Sequence, residues 1–397
     1  MSQQRTRLLW RAAGALVVLA LVLAGCADDD KGQGSAGGSN STEQRSDAAL
    51  RLNQIQVLGT HNSYHVAPEP RLMEKIRSIA AAVPEVTEGL GDPASLEYTH
   101  LPLDEQLDAG LRTFELDIAA DPTGGTFATP KGPSVLGVTD PVVPTDMDAP
   151  GIKVFHIVDI DQISTCQTLV ICLQTVKAWS DAHEAHEPIV IQLELKNDGL
   201  PKPFDLTPVT PFGAKELDDL DAEVRSVFDD DRLITPDLVR GDASDLRTAV
   251  TTKGWPALDD VRGRVMFYLD NSGASSDAYR EGHPSLEGRV AFTSDRDDLP
   301  SSAVLVKNDP KDPSIPELVK EGFLVRTRAD ADLVEAKAGD ASSRDAAFAS
   351  GAQLIHSDYP QGEPREDNGY VVSFGTKVGV RCNPVTFTRD RCPLPKN

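Results

Sequence analysis

The chain is short of positive charge: its 397 residues carry 39 Lys and Arg against 62 Asp and Glu, a formal net charge of −23. A surface this acidic excludes electrostatic tracking of nucleic-acid phosphates. It equally excludes unaided adhesion to anionic lipid, so work at a membrane needs a separate tether or bound cations. No G-x-G-x-x-G and no G-x-x-x-x-G-K-[ST] follows any predicted strand, which removes the usual supports for nucleotide binding. No Ser sits in a G-x-S-x-G elbow and no Cys is set up as an activated thiolate, so a covalent acyl or phosphoryl enzyme lacks its ordinary nucleophiles. The acidic tracts Asp218–Asp221 and Asp229–Asp231 lack the central Gly and terminal Glu of an EF-hand and read as solvated helix faces and caps. With 40% hydrophobic residues the chain can still bury a large core, one large domain or two ordinary ones.

What is present begins at the N-terminus. Arg5, Arg7 and Arg11 precede and enter the apolar run Ala12–Ala24, the pattern of an export signal. The run is short of the roughly 20 residues a permanent span requires, although an uncleaved signal anchor is the competing reading. Leu23-Ala24-Gly25-Cys26 resembles a bacterial lipobox, which implies cleavage after residue 25, lipidation of Cys26 and anchoring on the outer face of the cell membrane; the alternative is a secreted protein. Cleavage there removes three arginines and no acid, taking the net charge from −23 to −26. Residues 26–49 are too polar to offset the entropy of ordering and are predicted to be a flexible stalk. Residues 50–397 show no repeat and no composition break, and form one catalytic domain with a cysteine-bearing tail. Four cysteines remain beside Cys26, in two close pairs, Cys166 with Cys172 and Cys382 with Cys392. That suits two short-loop disulfides in an oxidising compartment, with three connectivities open. A metal site is the weaker alternative, since neither pair is C-x-x-C and no His cluster flanks them.

Short β-rich runs recur at Gln54–Gly59, Thr113–Ile118, Lys153–Val158, Pro188–Leu195, Arg264–Leu269, Ala303–Lys307, Gly322–Thr327 and Ala352–His356. Most are separated by stretches such as Leu169–His183 and Lys215–Phe228, where apolar residues recur at three- and four-residue steps. Eight strands alternating with helices predict an α/β fold of the (β/α)8 TIM-barrel type with loop insertions. An open doubly wound sheet is the competitor.

Catalytic groups in such barrels come from the C-terminal strand ends. The first run ends in His61-Asn62-Ser63-Tyr64, the second carries Phe114-Glu115-Leu116-Asp117, the third ends at His156, and the fourth at Glu194-Leu195-Lys196. Glu115 and Asp117, two apart on a strand, share a face. With Asn62 and Glu194 they form an oxygen-rich anionic shell that favours Ca²⁺, or less readily Mg²⁺, over Zn²⁺. His61 and His156 remain for proton transfer. His65, His183, His186 and His283 read as surface residues, and His100 and His356 as polar groups near the core, with His356 the closer to the site.

This set resembles the catalytic barrel of the calcium-dependent phosphoinositide phospholipases C, most closely their bacterial secreted relatives, over roughly residues 50–360. The resemblance implies Asn62, Glu115, Asp117 and Glu194 as Ca²⁺ ligands, with His61 and His156 flanking the scissile phosphate of a phospholipid at a membrane surface. It suggests Lys196 and Arg328 as phosphate or headgroup contacts and Tyr359 as a sugar-stacking group. The accessory lipid-binding modules of the eukaryotic enzymes are missing, a role the lipidated Cys26 could take. No second basic cluster is present for extra ring phosphates, so phosphatidylinositol or a glycosylated form is expected rather than a polyphosphorylated lipid. Glycerophosphodiester hydrolysis is the rival enzyme reading, but His-Arg-Gly would then be expected where Asn62-Ser63 follows His61. A non-catalytic surface lipoprotein on a retired barrel is the third reading, and the intact residue set speaks against it. Oligomeric state is left open.

Overall fold

The structure, a computed structural model, describes residues 49–82, 92–199, 207–331, 333–387 and 392–394. The predicted export signal, Cys26 and nearly all of the polar stalk lie outside the described residues. Eight parallel strands make the barrel: β1 (Ile55–Thr60), β2 (Thr113–Asp121), β4 (Ile189–Leu195), β5 (Val265–Leu269), β6 (Ala291–Thr293), β7 (Val304–Val306), β8 (Leu324–Arg328) and β9 (Leu354–Ser357). They are hydrogen-bonded in the order β6-β5-β4-β2-β1-β9-β8-β7. The curl brings the two end strands together, where Val306 N–H donates to the Ser294 carbonyl at 3.3 Å, so the barrel is nearly closed. Two further strands, β3 (Gly151–Val154) and β10 (Val380–Cys382), run antiparallel to β2 and β1 respectively.

The predicted (β/α)8 architecture is therefore present, with one stave exchanged. Lys153–Val158 is not a barrel stave. At nine residues, β2 outruns its neighbours, and β3 pairs with the part that projects past the rim, Ile118 opposite Val154 through Asp121 opposite Gly151. The missing stave is Ala291–Thr293, three residues followed by a turn-rich acidic stretch, too short to show a period of two. The helices Leu169–Ala182 and Ala214–Val227 match the apolar three- and four-residue spacing. The Thr168 side chain caps the first by accepting from Ile171 N–H at 3.2 Å. Residues 294–303 link β6 to β7 without a helix.

Almost every strand residue is buried, as expected where helices cover the outside and side chains fill the inside. The two faces differ in kind. Phe114 and Leu116 belong to the apolar layer beneath the helices. Their neighbours Thr113, Glu115 and Asp117 point the other way, into a polar interior where Gln192 Nε2 donates to Glu115 at 2.8 Å and Tyr268 Oη donates to Gln192 at 2.5 Å. Strands β1 and β2 lie so close at Gly59 that a Cβ there would stand 1.6 Å from the Thr113 carbonyl oxygen. Only glycine admits that approach. Cys166 pairs with Cys172 and Cys382 with Cys392, which selects one of the three connectivities. No helix among the described residues is long and apolar enough to cross a membrane.

Candidate active site at the carboxyl end of the barrel

The segment after β1 turns sharply, with Asn62 at a positive φ of 47°, a conformation Asn tolerates better than most residues. Ser63 fastens this turn to β2: its N–H donates to the Glu115 carbonyl at 2.9 Å, and its Oγ accepts from Glu115 N–H at 2.8 Å. The Asn62 side chain is buried and donates from Nδ2 to Tyr98 Oη at 3.0 Å. With the nitrogen committed, the amide oxygen is the atom it can offer to a cation.

Glu115, Asp117 and Glu194 bring carboxylate oxygens to within 4.8 Å of one another. The register Asp117 opposite Glu194 across the β2–β4 pairing sets the distance. Lys196 reaches back into the cluster, Nζ lying 2.6 Å from Asp117 and 2.7 Å from Glu194. These groups are not equivalent. Burial alone would raise the Glu115 carboxyl, but Arg326 at 2.8 Å, with His61 and His356, holds it well below the usual range. Asp117 is fully buried, neither oxygen makes a hydrogen bond of good geometry, and burial together with Glu194 and Glu115 pushes its carboxyl up despite Lys196. Burial would lower the Lys196 ammonium, but Asp117 and Glu194 drive it the other way. Three carboxylates facing Lys196 and Arg326 leave surplus negative charge, and Asp117 is the buried group with the least compensation.

Each candidate catalytic histidine is backed by an aspartate. His61 Nδ1 lies 2.8 Å from Asp358 Oδ1, while Arg328 holds the other Asp358 oxygen at 3.0 Å and stands 3.5 Å from His61 Nε2. Burial and the Arg328 charge lower the His61 pKa. Asp358, which burial would raise, is kept strongly acidic by Arg328 and His61. The His61 carbonyl is fixed in turn by His100 Nε2 at 2.9 Å. On the opposite side His156 Nδ1 lies 2.9 Å from Asp161 Oδ2, and His65 Nε2 lies 2.7 Å from the same oxygen. Both candidate rings keep an exposed edge, 21% and 23% of the side chain, so each is open to a molecule that fills the rim.

Asp161 yields a stability prediction. Burial would raise its carboxyl, but His65 and His156 bring it from 3.8 down to about 2. A group whose folded pKa is depressed contributes stability that is complete above its unfolded value and is lost as pH falls through the folded one. Between pH 4 and pH 2 the wild-type chain should lose about 2 kcal/mol of unfolding free energy that Asp161→Asn does not lose. Urea denaturation of both chains across that window measures it, and parallel pH curves would sink the assignment.

The rim thus gathers His61, Asn62, Glu115, Asp117, His156, Glu194, Lys196 and Arg328, which the sequence reading singled out. Tyr359 is a correction. It is only 9% exposed, sits in the apolar core beside Tyr370, and spends its hydroxyl on Arg365 Nη1 at 2.8 Å, so its ring is not presented as a stacking surface. His65 and His186 are also not surface residues. His65 is 0% exposed, and the buried His186 ring hydrogen-bonds Ser180. The residues missed are those that orient the rest: Tyr98, Asp161, Arg326 and Asp358. Asp358 carried a signal, since it stands two residues beyond His356, the end of the predicted last strand. Tyr98 and Asp161 lie in loops with none.

A family model described as phosphoinositide phospholipase C, Ca²⁺-dependent, matches residues 50–384. Among solved structures, the chain is similar to a calcium-dependent phosphoinositol-specific phospholipase C from a Gram-negative Pseudomonas species, at 18% identity and TM-score 0.48 over 84% of this chain and 95% of that one. It is similar also to a Ca²⁺-dependent phosphatidylinositol-specific phospholipase C from Streptomyces antibioticus, at 18% identity and TM-score 0.49 over 78% and 95%. A phosphatidylinositol-specific phospholipase C from Listeria monocytogenes aligns at 13% identity and TM-score 0.39 over 78% and 89%. No curated protein matches the chain.

Proposed function

The chain belongs to the Ca²⁺-dependent phosphoinositide phospholipase C family, and from that premise we propose that it cleaves phosphatidylinositol, or a glycosylated form of it, to diacylglycerol and an inositol phosphate that passes through the cyclic 1,2-phosphate. The observation that carries this reading is the placement, at one rim, of a three-carboxylate cluster beside two histidines that each have an aspartate on Nδ1. Asn62, Glu115, Asp117 and Glu194 would hold Ca²⁺, and buried Asp117, whose oxygens make no hydrogen bond of good geometry and meet only the Lys196 ammonium, fits a hard cation. When bound, the ion supplies charge neutralisation at the phosphoryl oxygens and lowers the pKa of the inositol 2-hydroxyl.

The chain's own residues do the rest. The sequence holds no G-x-S-x-G serine and no activated cysteine, so the 2-hydroxyl of the substrate is assigned as the attacking group, and a carboxylate takes its proton. Glu115 is unsuited, because both its oxygens are committed to Gln192, Arg326 and His356 and it is held strongly acidic. Glu194 is more than a third exposed, with Lys196 on one oxygen, and is assigned the proton. His61 and Arg328, adjacent and backed by Asp358, face the negative charge that builds on phosphorus. His156, held by Asp161, protonates the departing diacylglycerol oxygen. An export signal and a lipidated Cys26 would keep this acidic domain beside a membrane that its charge does not attract.

Phosphorus NMR of phosphatidylinositol vesicles tests the reading, with a 2-deoxyinositol lipid as comparison. The cyclic phosphate should appear first, and the deoxy lipid should turn over at least about 10²-fold more slowly. Equal rates on the two lipids would show direct attack by water and overturn the proposal.

A further inference from the structure

A second cluster of metal-binding atoms stands apart from the carboxylates. His65, His156 and Asp161 each place one donor atom within 4.8 Å of the others. His65 comes from the turn after β1, while His156 and Asp161 come from the loop after β3, so the fold and not local sequence assembles the group. His65 is stacked on Tyr98 with ring centroids 4.3 Å apart and directs Nδ1 at the Tyr98 carbonyl at 2.9 Å. A carbonyl can only accept, so Nδ1 carries hydrogen and Nε2 is the atom turned toward Asp161. At 2.7 Å, Nε2 and the Asp161 oxygen cannot face each other as bare lone pairs. A positive particle must lie between them, and in the metal-free chain that is a proton. The other Asp161 oxygen is buried with no hydrogen-bond partner.

This is the construction of a borderline divalent metal site. A ligating imidazole ordinarily gives its remote N–H to a backbone carbonyl, which fixes the tautomer and aims the lone pair. Two imidazoles and one carboxylate suit Zn²⁺ with a fourth position left open, and they do not suit Ca²⁺, which requires six or more oxygens. His156 keeps 23% of its side chain exposed, whereas His65 and Asp161 are sealed.

We propose that His65 Nε2, His156 Nδ1 and an Asp161 oxygen form an inhibitory Zn²⁺ site next to the Ca²⁺ site. On binding, Zn²⁺ replaces the proton between His65 and Asp161, which leaves to solvent. His156 acts in the proposed reaction as a general acid and so carries hydrogen on both ring nitrogens; its Nδ1 proton leaves as well, and net release is two protons per zinc. With Nδ1 on zinc the His156 ring is neutral and no longer an imidazolium, and its remaining Nε2–H is too weak an acid to protonate the leaving oxygen. Apart from the second proton, the binding half of this inference is independent of the proposed reaction. The inhibitory half rests on the role given there to His156.

The test is calorimetric titration of the full chain with ZnCl₂ in excess CaCl₂, repeated in buffers of different ionisation enthalpy and paired with zinc X-ray absorption. Expected are one Zn²⁺ per chain, about two protons released, a first shell with two imidazoles, and affinity at least 10-fold weaker in His65→Gln and Asp161→Asn. Displacement of zinc by Ca²⁺, an oxygen-only first shell, or full affinity in a folded His65→Gln chain would overturn the site. Should His65→Gln fail to fold, the wild-type absorption spectrum and Ca²⁺ competition still decide. Turnover on phosphatidylinositol should stop at one equivalent of zinc, resist added Ca²⁺ and return with a zinc chelator. Zinc bound with two imidazoles while turnover continues would instead overturn the role of His156.

Discussion

Asp117→Asn is expected to lower kcat by about 10³-fold or more, and excess EGTA to abolish turnover of the wild-type chain, in line with the several kcal/mol a metal ion supplies to a charged transition state. The size of the effect follows from the asymmetry of the cluster. Glu115 already has Arg326, and Glu194 is partly solvated, but Asp117 is buried without a well-formed hydrogen bond and is pushed toward its protonated form. Such a carboxylate gains most from a cation and is the ligand whose loss should cost most. Lys196 competes for the same two oxygens that would hold Ca²⁺. Lys196→Met should therefore tighten Ca²⁺ binding, shown by a lower Ca²⁺ concentration at half-maximal rate, even if kcat falls through loss of a phosphate contact. Initial rates in calcium-buffered solutions give both quantities. Full turnover in EGTA, or an Asp117→Asn chain with an unchanged calcium profile, would remove the cluster from the reaction.

The residues that gather at the rim were legible in the sequence because barrel chemistry concentrates at strand ends, and strand ends can be found from short apolar runs followed by polar residues. His61-Asn62, Glu115-x-Asp117 and Glu194 each sit at such a boundary. The partners that hold them were not legible. Asp358 is 297 residues from His61, and His65 is 96 from Asp161, separations that no periodicity links. His65 reads as a surface residue in the sequence because no motif claims it; in the fold Tyr98 stacks on its ring and accepts from it. Tyr359 erred the other way, since a tyrosine after a strand end looks available until Tyr370 and Arg365 are seen to pack around it. His156 reached the rim for a different reason than expected, as part of an antiparallel extension of β2 and not as the end of a stave.

Arg326 lies deepest in the site, and its removal should produce the largest stability change. The guanidinium is 1% exposed, donates to Glu115 at 2.8 Å, approaches His356 Nδ1 at 3.2 Å and bonds the Asn308 side chain. Arg326→Met keeps much of the volume but leaves Glu115 buried beside Asp117 and Glu194 without its ion-pair partner. Breaking a buried pair by removing one partner costs about 3–5 kcal/mol, so the calcium-free variant should unfold at a clearly lower temperature. Calcium then separates this electrostatic account from a simple packing defect. In the wild-type chain Arg326 already satisfies one Glu115 oxygen, whereas in the variant an ion bound by Glu115, Asp117 and Glu194 would relieve the whole surplus. Ligand that binds only the folded state stabilises it by mass action, and the variant should therefore gain more in unfolding temperature from saturating Ca²⁺ than the wild type does. Thermal denaturation of both chains with and without Ca²⁺ measures the difference. Equal calcium gains in the two chains would mean that the loss came from packing, and that Glu115 does not share its charge between Arg326 and the metal.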